Sequence, residues 1–255
     1  MTCFASAEAY DRHVGRYTAA LARELIRVAG VGRGDSALDV GCGPGALASE
    51  LAAVVGEENV AAVDPSQPFV EACRLRLPRA DVRVAAAEQL PFADETFDAV
   101  LAQLVVNFMD DAHSGVRELR RVARPGGAVA ACVWDYADGM TMLRAFWDAA
   151  RSLDAAAPDE GAEMEYCREG ELGALWEAAG LADVQHGALV VEADYDDFDD
   201  YWWPFTTGVA PSGAYCAALD PERRERLRDA VWHRLGSPAG AFRLAARAWY
   251  AVGRR

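Results

Sequence analysis

The chain has 255 residues, 52% apolar and 25% charged, enough to bury a full core without disulfides or metals. No apolar run approaches the ~20 residues that span a bilayer, and the opening "MTCFASAEAYDRH" lacks a basic start followed by an apolar block, so a cytoplasmic protein without membrane contact is expected. The formal charge of -15 opposes a phosphate backbone and argues against nucleic acid as a partner.

The first predicted element is a helix within 10–30, where Val14, Tyr17, Leu21, Leu25 and Val28 recur at helical spacing before the glycines of "AGVGRGD". Short apolar runs then alternate with helical patterns: "SALDVG" as strand, 44–56 as helix, "NVAAVD" as strand, 66–77 as helix, then "DVRVAA" and "FDAVLAQLV" as strands. A helix over about 110–123 turns Val116, Leu119 and Val122 inward and is closed by a turn at "RPGG", after which "AVAACVW" is a strand. Residues 139–155 read as a helix with Met142, Leu143, Phe146 and Leu153 as its apolar members. Beyond the small polar loop "DAAAPDEGAEM", "REGELGALWEAAG" is a helix ending at Gly180 and "DVQHGALVVEAD" a strand. Tyr195, Phe198, Trp202 and Phe205 fall at helical offsets in "DYDDFDDYWWPF", and "LDPERRERLRDAVWHRL" is helical. In the last segment, Phe242, Leu244, Ala246, Ala248, Tyr250 and Val252 alternate against Arg243 and Arg247, which marks an antiparallel edge or near-edge strand.

Strands alternating with helices predict an α/β fold with a doubly wound, mostly parallel seven-stranded sheet, a terminal antiparallel strand and a helical cap insertion. We read 1–255 as one domain, with a core over 35–135 and cap insertions at about 138–166 and 195–239. The six cysteines (Cys3, Cys42, Cys73, Cys132, Cys167, Cys216) form no CxxC pair and no cysteine-histidine spacing, so reduced, mostly buried thiols and no metal are expected.

The stretch that carries chemistry is "LDVGCGPG", residues 38–45: an apolar strand end running into glycines, with a helix following that offers free N–H groups to an anion. Gly41, Gly43 and Ala46 also satisfy the dinucleotide pattern G-x-G-x-x-G/A, so a nicotinamide cofactor is the rival reading. Either reading expects an acid about 20 residues on, and Asp64, which ends "AAVD", can take both ribose hydroxyls as donors. Pro44 removes an N–H that a pyrophosphate would use. Asp39 adds negative charge where a ligand with an ammonium and a sulfonium would be favoured. With a whole helix before the first strand and an edge-like strand at the end, both point to S-adenosylmethionine.

"LDVGCGPG", "VDPS", "AAAEQLPFADETFDAVLAQ" and "RVARPGG", in that order, resemble the Rossmann-like (class I) S-adenosylmethionine-dependent methyltransferases, closest to the small-molecule group that includes quinone-biosynthesis enzymes. The resemblance covers about 10–134. It implies that Asp39, Gly41, Cys42, Gly43 and Gly45 line the methionine part of the cofactor and that Asp64 holds the ribose, with Pro65 and Phe69 against the adenine. Ala87 and Glu88 would meet the adenine edge, Gln103 would present a carbonyl to the ammonium, and Tyr17, with Tyr10, would lie in a segment folded over the cofactor. Relatives often have an aspartate where this chain has Ala86, which throws the adenine amino contact onto Glu88, backbone or water.

The implied reaction transfers the methyl group to an oxygen, nitrogen or carbon of a small acceptor, leaving S-adenosylhomocysteine. Candidates for the acceptor pocket are Tyr10, Asn107, Trp134, Tyr136, Trp202 and Trp203, placed past the fourth and fifth strands or among the cap aromatics. No residue is singled out as a base. A fold that keeps the cofactor without methylating is the second alternative.

Overall fold

A computed structural model describes residues 14–255; Tyr10 lies outside the described residues. Helix α1 (Arg16–Ala29) buries Tyr17, Leu21 and Leu25 together with Ala22, Ile26 and Ala29, so the predicted stripe is the packed one, with Val28 half-buried at its margin. There follow β1 (Ala37–Val40), α2 (Ala46–Val55), β2 (Val60–Asp64), α3 (Gln67–Arg76), β3 (Asp81–Val84), β4 (Phe97–Gln103), α4 (Ala112–Val122) and β5 (Ala123–Trp134). Beyond them run α5 (Thr141–Leu153), α6 (Glu160–Glu163), α7 (Glu171–Ala178), β6 (Ala182–Tyr195), α8 (Phe198–Trp202), α9 (Ala210–Ala218), α10 (Pro221–Arg234) and β7 (Phe242–Arg254).

The seven strands form one sheet in the order β3-β2-β1-β4-β5-β7-β6, the mostly parallel α/β sheet that the alternation predicts. β1 to β5 pair parallel, and β7 runs antiparallel to β5, with Ala128 opposite Arg254 and Trp134 opposite Ala248. β7 is thus a near-edge strand. Every residue of β1 and β2 is buried, as a parallel sheet covered on both faces requires. The strand order reverses between β1 and β4, so the connections leaving these two strands diverge and open a crevice at their carboxyl ends.

Three expectations change. "RPGG" belongs to β5 as a bulged arm: the register jumps between Phe97 opposite Ala123 and Ala99 opposite Ala128, and Gly126 and Gly127 exchange backbone bonds with Arg255. Leu153, one of the apolar members expected of its helix, is 53% exposed at the end of α5. Tyr195 is the last residue of β6 and not part of a helix; α8 is one short turn, and Pro204 sits in the 3-10 turn that replaces its continuation.

The chain forms two compact units. One comprises Thr18–Trp134, Glu165–Leu189 and Ala248–Arg255. In it, Asp111 caps α4 by accepting from the Ser114 amide, Val116, Leu119 and Val122 are buried as predicted, and Trp176 donates to the Val129 carbonyl at 2.8 Å. The other comprises 14–17, Asp135–Met164 and Val190–Arg247 and is built on aromatic packing. There Phe146 stacks on Phe205 with centroids 4.5 Å apart, Tyr201 donates to the Met142 carbonyl at 2.8 Å, and Arg16 lies over the Tyr195 ring while pairing with Asp200 at 3.0 Å. Cys42, Cys73, Cys132, Cys167 and Cys216 are buried. Among the described residues, no helix is long and apolar enough to cross a membrane.

Candidate functional site

The chain turns at once after β1. The amides of Gly41 and Cys42 both donate to the Val63 carbonyl, at 2.8 and 2.9 Å, which pins the turn to the end of β2, and the Gly45 amide closes onto the Cys42 carbonyl at 2.9 Å. α2 begins at Ala46, with Gly45 as its N-cap, two residues later than a start at Pro44.

Gly41 and Gly43 both hold positive φ, +75° and +51°, but for different reasons. A Cβ on Gly41 would lie 2.3 Å from Val105 Cγ2, whereas a Cβ on Gly43 would meet nothing within 4 Å. Gly41 is needed for packing and Gly43 keeps the crevice open. Gly41→Ala is therefore expected to cost about 2 kcal/mol of stability from overpacking and backbone strain. Gly43→Ala should cost only about 1 kcal/mol of left-handed strain yet weaken S-adenosylhomocysteine binding about tenfold by filling the open space. Thermal melts and calorimetric titration of the two variants separate these effects; equal melts and equal affinities would refute the distinction.

Asp64 closes β2 and fastens the turn. Its Oδ2 accepts from the Gly43 amide at 2.9 Å and its Oδ1 from the Ser66 amide at 2.8 Å. A carboxylate has about four lone-pair sites, so two amides leave room for two further donors such as vicinal hydroxyls. Burial pushes its pKa up against the pull of those amides.

Asp39 is 1% exposed, and neither of its oxygens has a hydrogen-bond partner. Burial holds its carboxyl well above the usual range, helped by Cys73 and Asp64 and opposed by the nearby Ala48 amide, which does not reach hydrogen-bonding geometry. Gln103 donates Nε2 to the Thr18 carbonyl at 3.1 Å, which leaves its buried Oε1 without a partner. Asp39 is opposite Leu101, so Gln103, two residues on, shares the Asp39 face of the sheet. Three buried oxygens without donors, beside a turn open at Gly43, form a setting that a cationic, donor-bearing ligand would satisfy. The residues present fit S-adenosylmethionine on this ground.

The remaining candidates are placed as follows. Cys42 turns its thiol under the turn, where the hydrogen bond shared with Cys73 and burial push its pKa up; the same bond and the nearby Arg76 hold Cys73 down. Pro65 is exposed and Phe69 half-buried at the start of α3, and Ala87 is buried after β3. Glu88 Oε1 accepts from the amides of Asp110 and Asp111 at 3.0 and 3.3 Å, tying the "AAAEQLPF" turn to the start of α4. Asn107 is half-buried in the turn Val106–Phe108 after β4, and Trp134, at the end of β5, is 1% exposed. Tyr17, Tyr136, Trp202 and Trp203 belong to the other unit. Tyr17 is buried with its hydroxyl 3.0 Å from that of Tyr195, Trp202 is buried, Tyr136 is half-buried, and Trp203 is 38% exposed. The structure thus gathers Asp39, Gly41, Cys42, Gly43, Gly45, Asp64 and Gln103 at the carboxyl ends of β1, β2 and β4. Sequence reading missed Val105, whose contact with Gly41 leaves no trace in spacing.

A sheet that reverses between β1 and β4, with a glycine turn on the first and an acid closing β2, is the architecture of the Rossmann-like, class I methyltransferases. Residues 38–131 match the family described as methyltransferase domain, so the resemblance carried by the motifs is borne out there. The chain is similar to a malonyl-acyl-carrier-protein O-methyltransferase of Pseudescherichia vulneris, 37% identical over 127 residues, 49% of each chain. It is also similar to a demethylmenaquinone methyltransferase of Mycobacterium sp. (strain JLS), 41% identical over 112 residues, 43% of this chain and 46% of that one. The chain therefore matches about half the length of these curated relatives. Among solved structures, a candidate type II methyltransferase of Anaeromyxobacter dehalogenans superimposes with a TM-score of 0.68 at 27% identity, covering 94% of this chain and 97% of that one. Family and fold together support S-adenosylmethionine as the cofactor.

Proposed function

We propose that the protein transfers a methyl group from S-adenosylmethionine to an oxygen, nitrogen or carbon nucleophile of a small-molecule acceptor. The observation that carries this reading is the set of unpartnered oxygens on Asp39 and Gln103 beside a glycine turn that Asp64 holds. Asp39 and Gln103 would hold the amino end of the cofactor, Asp64 its ribose, and Ala87 with Glu88 its adenine edge. When bound, the cofactor supplies a methyl group already activated by the sulfonium. What the chain adds is alignment of an acceptor with that group, and positioning of this kind lowers barriers by roughly 7 to 11 kcal/mol. Asn107, which follows β4, and Trp134, which ends β5, are the acceptor-side candidates on the sheet unit.

The similarity to a demethylmenaquinone methyltransferase supports a small acceptor, and the charge of -15 disfavours nucleic acid. Incubation with methyl-labelled cofactor and panels of phenols, quinols, carboxylic acids and amines tests the reading: label is expected in one class of acceptor. Stoichiometric binding without turnover on any acceptor would favour a methyltransferase fold kept for binding.

A further inference from the structure

Leu104, the residue after β4, sits at φ +62°, a left-handed conformation that a bulky side chain rarely adopts. Two fixed points surround it. Its amide donates to the Cys132 carbonyl at 2.8 Å, which keeps the end of β4 in the ladder with β5. One residue later, both Cγ atoms of Val105 stand 2.3 and 2.7 Å from where a Gly41 Cβ would be. Val105 then opens the turn that carries Asn107, with the Phe108 amide donating to the Val105 carbonyl at 2.8 Å.

An extended residue at 104 would continue the strand and carry Val105 away from Gly41. The left-handed turn brings the chain back across the end of β1 instead, so that Val105 occupies the space Gly41 leaves. Gly41 is thereby held from two sides, by the Val63 carbonyl that accepts its amide and by Val105. Strained backbone of this kind persists where the surroundings over-determine it, and it gathers at functional sites.

We propose that Leu104 is a positioning residue for the cofactor turn, acting through its backbone conformation: it seats Val105 against Gly41 and so sets the turn in its ligand-binding shape. The inference rests on the cofactor reading above. It inverts the usual order of tolerance, because glycine and asparagine adopt the left-handed conformation readily while β-branched valine, the nearer match in hydrophobicity, resists it.

The test is titration of S-adenosylhomocysteine into the folded full chain carrying Leu104→Gly, Leu104→Asn, Leu104→Ala or Leu104→Val, with ligand-free melts of each. Gly and Asn are expected to bind within threefold of wild type, Ala more weakly, and Val at least tenfold more weakly. Should Leu104→Val fail to fold, Leu104→Asn against Leu104→Ala carries the comparison. A role confined to stability would move the melts and leave the affinities alike, which would overturn the proposal. So would Val binding as wild type while Gly and Asn lose affinity, because the side chain would then be what matters. Failure of the wild type to bind would overturn the cofactor reading itself, and the order of ligand-free melts would still accept or reject the backbone claim.

Discussion

Asp39→Asn is expected to make the ligand-free protein more stable and the liganded one weaker. The wild-type carboxyl is buried with neither oxygen hydrogen-bonded, and its burial holds the pKa well above the ordinary 3.8. Between that ordinary value and the raised one, the folded state carries a proton that the unfolded chain has released. Linkage fixes the sign: the Asp39 contribution is fully present below the unfolded pKa and is lost as pH rises through the folded one. The melting temperature of wild type relative to Asp39→Asn should therefore fall as pH rises through that window. Above it the variant should gain about 1 to 3 kcal/mol, the cost of an uncompensated buried polar group. Ligand affinity moves the other way. Wild type should bind S-adenosylhomocysteine more tightly as Asp39 ionises, and the variant should show no such rise and, above that window, bind on the order of 100-fold more weakly, a loss of about 2.7 kcal/mol. Paired melts and titrations over a pH series running upward from the ordinary carboxylate range check both halves. A parallel pH dependence in the two proteins would remove Asp39 from the account.

Asp64→Ala should be as damaging to binding, by a different route. Two hydroxyl donors to one carboxylate contribute about 3 kcal/mol, so affinity for S-adenosylhomocysteine is expected to fall on the order of 100-fold. The turn also loses the acceptor that the Gly43 and Ser66 amides share. Asp64→Asn separates the two contributions, because its amide group would point a donor at one of those N–H groups. Its affinity should lie between alanine and wild type, with a melting temperature below both if the clash dominates. Calorimetry at constant pH reads all three proteins; undiminished affinity in Asp64→Ala would show that the ribose is held elsewhere.

The parts of this molecule that were legible in the chain are those in which a local pattern and a physical need coincide. The sheet follows from short apolar runs between helical stripes, and α4 from Val116, Leu119 and Val122 at helical spacing behind an aspartate cap. The glycine turn and Asp64 lie 21 residues apart, from Gly43 to the acid, and are read together only because the pattern expects that acid on the next strand. What stayed hidden depends on distant partners. Glu88 reads as an adenine contact in sequence, yet one of its oxygens is given to the amides of Asp110 and Asp111, 22 and 23 residues away. Leucine gives no sign of a left-handed backbone, so Leu104 and the seating of Val105 against Gly41 could not be read before the fold was known. The aromatics of "DYDDFDDYWWPF" keep a helical period that the chain follows only from Phe198 to Trp202, while Tyr195 ends β6 stacked on Phe242 and Phe205 stacks on Phe146 in the 3-10 turn.

The most direct measurement is thermal unfolding of the wild-type protein with S-adenosylmethionine, S-adenosylhomocysteine or NAD, each in large excess. Either sulfur nucleoside at 100 times its dissociation constant should add about 2.7 kcal/mol of stability, and NAD should add none. Stabilisation by NAD with no response to the sulfur compounds would contradict the account.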